Sequence, residues 1–160
     1  MSYNYNKLSP TLPEGAKALD LVLTGQWWEA WQGDKYEDYR ELTNYWIGRL
    51  FGKESKFYNS MNLERDKIEV YNILSANPNR FLKNNKVIDF THIRLSKAYG
   101  KYRPSGYVEF GGVLIREGNP EWGAKAGRLY FCIYMKPPIC EHKNLTGFED
   151  WSICEDCGAG

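Results

Sequence analysis

Residues 23–51 constrain the fold more than any other segment, because a tryptophan-rich helical turn there runs straight into a charged strand. The centre of this segment reads Gly33-Asp-Lys35-Tyr-Glu-Asp38-Tyr-Arg40. Gly33 can supply the positive φ that ends a helix. Successive side chains of the strand that follows must face opposite sides of its sheet. Lys35 and Arg40 can therefore share a site only if the strand bends, or if Lys35 still belongs to the turn.

Written as Gly-x-Lys-x-x-acid-x-Arg, the same octapeptide resembles the signature of the ASCH domain, a small PUA-like β-barrel family associated with RNA and modified nucleosides. Asp38 stands where the family usually has glutamate. Residues 99–131 resemble the later half of a phage and bacterial ASCH subgroup in order and spacing, through YGKYRP, YVEF, PEWG and GRLYF. The resemblance covers residues 19–52 and 87–136, which makes it more specific than the octapeptide alone. An isolated octapeptide would fit a solvated strand with surface ion pairs equally well.

The resemblance implies an α+β fold, a small mixed PUA-like β-barrel of five or six strands with flanking helices. It also implies a cleft between the first helix and the barrel mouth. A chain of 160 residues is too short for two full-size domains. We therefore expect an N-terminal arm at residues 1–16, loosely attached unless something holds it, and a barrel domain at 17–136 with a helical insertion at 53–86. A zinc-binding appendage at 137–160 completes the chain.

Local patterns predict the individual elements. Apolar, β-branched and aromatic runs indicate strands at 19–23, 35–41, 87–95, 106–116 and 128–135. Helical spacing indicates helices at 26–32, at 43–51 with Thr43 as N-cap, and at 63–76, closed by Asn77-Pro78. Trp27 and Trp31 share a helix face that we assign to the core. The pair Gly111-Gly112 predicts a β-bulge.

The C-terminal segment contains the four ligands of a tetrahedral metal site. Cys140-x-His142 and Cys154-x-x-Cys157 form two close pairs separated by eleven residues, a spacing typical of structural zinc. This segment has too little apolar content to fold alone, so the metal would supply its folding free energy. A disulfide fits poorly in a chain without an export signal. Four protein ligands also leave no open position for catalysis.

Charge limits the candidate partners. The net charge is only +1, which argues against binding a long nucleic acid through its phosphates. The resemblance points instead to a binding module that takes up a nucleotide, a base or a short single strand of RNA. Cations and aromatic side chains suited to phosphate and base lie in the two similar blocks. These candidate ligand-binding residues are Lys35, Arg40, Tyr99, Lys101, Arg103 and Trp122.

A hydrolase acting on nucleosides or RNA is the second hypothesis. Some members of the ASCH family, which this chain resembles, are reported to be amidohydrolases of acylated cytidine, and others have been proposed as ribonucleases. The catalytic residues would then be Lys35, Asp38 and Glu121. Asp38 stands where those amidohydrolases have their nucleophilic threonine, however, and a carboxylate cannot take over that role, although a Lys35–Asp38 pair would suit proton transfer.

A protein-interaction adaptor is the third hypothesis. The C-terminal segment is acidic, so it would contact another protein or brace the barrel rather than hold phosphates. The sequence has no apolar stretch long enough to cross a membrane and no basic, apolar leader, so we expect a cytoplasmic protein. The subgroup resemblance implies a phage-encoded protein acting in the cytoplasm of a bacterial host.

We expect the purified protein to carry about one zinc ion per chain, because its four ligands are complete. Elemental mass spectrometry of protein prepared without chelator or oxidant measures the stoichiometry. Cys154→Ser should lower the occupancy. A value near zero in the wild-type protein would contradict the assignment.

Overall fold

The computed structural model describes residues 8–52, 67–98, 103–136, 145–148 and 151–154. For Lys67 and for the last two ranges it describes the backbone alone. Tyr99, Lys101 and three predicted zinc ligands, Cys140, His142 and Cys157, lie outside the described residues. The fourth predicted ligand, Cys154, is described only by its backbone.

Seven strands and four α-helices make up the described part of the chain. The strands are β1 (Ala18–Leu23), β2 (Glu37–Arg40), β3 (His92–Lys97), β4 (Ser105–Glu117), β5 (Leu129–Met135), β6 (Leu145–Phe148) and β7 (Trp151–Cys154). The helices are α1 (Gly25–Gln32), α2 (Asn44–Phe51), α3 (Lys67–Ala76) and α4 (Pro78–Asn84), with a short 3₁₀ helix at Pro120–Trp122. The predicted α+β class is confirmed.

Five strands form one mixed sheet in the order β1-β3-β4-β5-β2, and β6 and β7 pair as a separate hairpin. The β1–β3 pair is parallel and the other pairs are antiparallel. Strand β4 is long enough to pair with β3 through its first half and with β5 through its second. Its register with β5 shifts between Phe110 and Gly112, which confirms the predicted bulge.

The sheet is not a closed barrel, so that part of the predicted architecture is wrong for the described residues. Strand β2 has only four residues, and all four pair with β5. Strand β1 pairs with β3, and two arginine side chains reach its other edge. Arg40 donates from Nη2 to Val22 O at 3.1 Å, and Arg49 donates from Nη2 to Asp20 O at 2.9 Å. Side chains rather than a backbone ladder therefore satisfy these edge carbonyls.

Two strand boundaries differ from the prediction, because tertiary contacts take over part of each run. The strand predicted at 35–41 begins at Glu37, since the Lys35 N–H still bonds Ala30 O at 3.1 Å in the turn after α1. The strand predicted at 87–95 is β3, which begins at His92. Before it, the Ile88 N–H bonds Leu50 O at 2.8 Å, so the chain around Ile88 lies against the end of α2 and is not part of the strand.

The helices confirm the predicted start of α2 and add one helix that the sequence reading missed. Thr43 caps α2, its side chain accepting from the Trp46 N–H at 3.4 Å. Asn77 and Pro78 end α3 as expected, but they also begin α4. The Asn77 side chain accepts from the Arg80 N–H at 3.2 Å, and proline suits the first position of a helix.

One core lies between the sheet and the helices. The inward residues of β1, β3 and β5 are almost fully buried against the apolar faces of α1 and α2. Trp28 and Trp31 of α1 belong to this core, whereas Trp27, expected to share the core face with Trp31, is only partly buried. Among the described helices, none is long and apolar enough to cross a membrane.

The described start of the N-terminal arm is held against β4. Ser9 and Tyr107 exchange both backbone hydrogen bonds, each of 2.8 Å. Leu8 packs on the core, and a Cβ added to Gly106 would lie 2.7 Å from Leu8 Cβ.

We expect Gly112→Ala to lower the free energy of unfolding by about 3 kcal/mol, since φ at +148° is strained for any side chain. The added Cβ would also lie 2.5 Å from the Tyr134 hydroxyl. Gly127→Ala is the matched control. It has φ of +78° but no atom within 4 Å of the added Cβ, so about 1 kcal/mol should be lost. Urea denaturation measures both, and equal losses would contradict the steric argument.

Candidate functional site

Asp38 holds Lys35 and Arg40 together at the start of β2. Lys35 Nζ lies 3.3 Å from Asp38 Oδ1, and Arg40 Nε donates to Asp38 Oδ2 at 2.6 Å. Asp38 and Arg40 share a strand face, whereas Lys35 reaches Asp38 because it still belongs to the turn. Lys35 and Arg40 therefore share a site because Lys35 belongs to the turn, and not because the strand bends. Lys35 is 1% exposed and Asp38 is 5% exposed, so this is a buried ion cluster.

Each cation of the cluster also lies near an aromatic ring. Lys35 Nζ is 4.6 Å from the centre of the Trp27 ring in α1. The Arg40 guanidinium carbon is 4.9 Å from the centre of the Trp46 ring in α2. Both distances fall within the range of cation–π attraction, which is stronger where water is excluded. The two helices flanking β2 thus each contribute one tryptophan to the cluster.

Burial lowers the pKa of the Lys35 ammonium, and the adjacent Asp38 carboxylate offsets part of that effect. Lys35 stays inside the protein because a carboxylate and an aromatic face replace some of the water it loses. The Asp38 carboxylate accepts from a cation at each of its two oxygens. Because both of its oxygens already bind cations, Asp38 serves to position Lys35 and Arg40.

The opposite face of β2 carries a second charged network. Glu37, 4% exposed, forms an ion pair with Arg116 of β4 and accepts from the Tyr39 hydroxyl at 2.6 Å. Tyr39 in turn accepts from the Asn119 N–H at 2.8 Å. Burial and the hydrogen bond to Glu37 raise the pKa of Tyr39, which therefore remains a neutral hydroxyl. The network ties β2 to the loop after β4.

Cys132 of β5 lies beside this network and is fully buried. Burial, followed by the charge of Glu37, raises the pKa of Cys132 to about 11. The thiol is therefore protonated at neutral pH and is a poor nucleophile.

The loop after β4 brings Trp122 to the turn before β2. The Asn119 side chain accepts from the Glu121 N–H at 3.0 Å and starts the 3₁₀ helix that ends at Trp122. The Trp122 ring meets the Tyr36 ring edge to face, with centroids 4.9 Å apart. Gly123 has φ of +98°, and a Cβ there would lie 2.7 Å from the Trp27 ring. The PEWG loop therefore packs on Trp27, whose ring in turn lies against Lys35.

The structure thus brings together three of the predicted ligand-binding residues, Lys35, Arg40 and Trp122, in one region with Asp38. Arg103 is exposed elsewhere, next to Pro104, whose carbonyl accepts from the Lys97 N–H at 3.0 Å. In the described part of the chain, no hydrogen bond or ion pair joins Arg103 to the cluster. Glu121, the third candidate catalytic residue, is exposed.

The residues of the site that the sequence reading missed are aromatic, namely Trp27, Tyr36 and Trp46. Trp27 was assigned to the core on helical spacing, which cannot distinguish a core face from a face against a loop. The available signal was their position, since Tyr36 lies within the charged octapeptide and Trp27 and Trp46 lie shortly before and after it. Within the described ranges, no three His, Cys, Asp or Glu side chains cluster as metal ligands. The predicted zinc ligands lie beyond the side chains described.

No protein-family model matches the chain, and no curated protein or solved structure shows significant similarity to it. The ASCH resemblance therefore rests on the two sequence blocks alone.

Asp38→Asn should lower the free energy of unfolding by about 3 kcal/mol, because it leaves the buried Lys35 without its carboxylate. The control Asp89→Asn makes the same change in an exposed pair, in which Lys86 Nζ lies 3.4 Å from Asp89, and should cost at most about 0.5 kcal/mol. Urea denaturation measures both. Adding Lys35→Met to Asp38→Asn should restore part of the loss, and additive losses would contradict the ion-cluster account.

Proposed function

We propose that this protein binds a nucleotide, or a base within a short single strand of RNA, beside the Asp38 cluster. The observation that carries the proposal is the meeting of the two sequence blocks, since Tyr36 before β2 contacts Trp122 after β4. Tyr36 is 49% exposed and Trp122 is partly exposed, so aromatic surface remains open in the segment that leads into the Asp38 cluster. Aromatic rings that stack on bases, close to cations that hold phosphates, are the usual elements of single-strand recognition.

Arg40 is the cation best placed to meet a phosphate. Its side chain is 22% exposed, and the contacts to Asp38 and Val22 fix the guanidinium in place. Those contacts use two of its five N–H donors. A fixed, partly exposed guanidinium loses little entropy when it binds an anion.

Membership of the ASCH family and a zinc-binding C-terminal appendage are part of the same proposal. The support for the family is that the signature lysine and arginine both bind the carboxylate of the signature acid, Asp38. The support for zinc is the spacing of Cys140, His142, Cys154 and Cys157. In this account the metal braces the C-terminal segment, and the nucleotide site lies in the sheet domain.

Trp122→Ala should weaken the binding of a fluorescein-labelled single-stranded RNA octamer about fivefold or more, with little change in salt dependence, as loss of stacking does. Arg40→Gln should weaken binding and flatten the plot of log affinity against log salt, because the phosphate contact proposed for Arg40 is lost. Fluorescence anisotropy at several salt concentrations measures both effects.

Lys83→Gln is the matched control, because it also removes one positive charge, in α4, which contributes no residue to the proposed site. It should shift affinity less than Arg40→Gln. Equal, salt-insensitive binding by all variants would contradict the proposal. A protein that binds no RNA but retains a partner chain through purification would support the adaptor hypothesis instead.

A further inference from the structure

The exposed side of α2, together with Arg40 of β2, forms a second group of cations and aromatic rings, which we call the α2 row: Arg40, Tyr45, Trp46 and Arg49. The guanidinium carbons of Arg40 and Arg49 lie 4.9 Å and 5.3 Å from the centre of the Trp46 ring. Arg49 also donates from Nη1 to the Tyr45 hydroxyl at 2.9 Å. Tyr45 packs edge to face on Trp46 and is 60% exposed. The Trp46 ring therefore lies close to both guanidinium groups, and the exposed Tyr45 ring lies beside them.

Strand β1 sets the spacing of the two guanidinium groups. Arg40 donates to Val22 O and Arg49 donates to Asp20 O, both on the strand edge that does not face β3. Carbonyls two residues apart on a strand are about 6.6 Å apart, from a rise of about 3.3 Å per residue. That separation is comparable to the distance between successive phosphates in an extended single strand.

The charge of the row is not cancelled at Arg49. Both hydrogen bonds that Arg49 makes go to neutral oxygens, and in the described part of the chain it forms no ion pair. The Asp20 carboxylate lies 3.9 Å from Arg94 instead. Val22, beside the row, is 58% exposed, so an approaching ligand meets an open surface. Fixed guanidinium groups next to exposed aromatic rings match the chemistry of a single-stranded polynucleotide.

We propose that the α2 row binds the sugar-phosphate backbone of the nucleotides that follow the base held beside Trp122. Arg40 belongs to both the Asp38 cluster and the α2 row, so it links the first site to α2. The inference rests on the proposed function and specifies its substrate class. The ligand is a single-stranded oligonucleotide of several nucleotides rather than a mononucleotide.

The test compares two probes, uridine monophosphate and an oligouridylate octamer, on the full chain. Wild-type protein should bind the octamer at least about tenfold more tightly, since added phosphate and stacking contacts each contribute. Arg49→Gln should weaken octamer binding about three- to tenfold and reduce the salt slope by about 0.7, the value for one phosphate of a single strand. Tyr45→Ala should weaken octamer binding about fivefold or more. Neither change should alter the binding of the monophosphate.

Two further variants separate binding from folding. Lys83→Gln removes one exposed charge from α4 and should affect octamer binding less than Arg49→Gln does. Arg49→Lys keeps the charge and a donor for Asp20 O, so it should retain the wild-type salt slope. Thermal unfolding of each variant confirms that the fold is intact before affinities are compared.

The outcomes distinguish this inference from the proposed function. Equal affinity for monophosphate and octamer, or an Arg49→Gln effect no larger than that of Lys83→Gln, overturns the α2 row even if Trp122→Ala abolishes binding. Octamer binding that depends on Arg49 and Tyr45 but not on Trp122 supports the row and overturns the first site. Displacement of the octamer by an acidic peptide at equal concentration overturns the assignment to nucleic acid.

Discussion

The rest of this site depends on the ion pairs that the Asp38 carboxylate forms with Lys35 and Arg40. Asp38 is 5% exposed, and its carboxylate is shared by the ammonium of Lys35 and the guanidinium of Arg40. A lysine buried to this extent is unfavourable without a compensating charge, as its lowered pKa indicates. The pairing therefore fixes the turn that carries Lys35, and with it the place where α1 ends and β2 begins.

Strand β2 connects this cluster to the rest of the sheet by carrying polar networks on both faces. On one face Asp38 binds the two cations, and on the other Glu37 binds Arg116 and Tyr39. A four-residue edge strand has few apolar contacts of its own, so satisfied polar networks specify its position. The Glu37 network reaches Asn119 and so places the loop that presents Trp122 to Tyr36.

Local sequence signals were enough to predict β1, α1, α2, β5 and the bulge in β4 to within a residue or two. Each has a strong local cause, such as the apolar run of β1, the Thr43 cap of α2, or the glycine pair in β4. The alternation of side chains also correctly placed Asp38 and Arg40 on one face. The fold class and the positions of the central charged residues therefore follow from interactions between residues close in sequence.

The features that were missed depend on contacts between distant segments. Arginines from β2 and α2 cap the edge of the open sheet at β1, and no periodicity in the sequence reveals these contacts. Trp27 is only partly buried, because it packs at the edge of the core and also meets Lys35 and Gly123 of a loop distant in sequence. Helix α4 is not predicted from the sequence, because Asn77-Pro78 is a stop signal for α3, although the same pair also suits a helix start.

The central claim is that the Asp38 cluster and the Trp122 loop form one ligand site. The most direct measurement is a two-dimensional NMR titration of the tryptophan indole N–H groups with a single-stranded RNA octamer. We expect the signals of Trp122 and Trp46 to shift together with a common affinity, while those of the core residues Trp28 and Trp31 stay in place. Unchanged signals for both Trp122 and Trp46 at saturating RNA, or shifts confined to Trp151 in the C-terminal hairpin, would contradict the account.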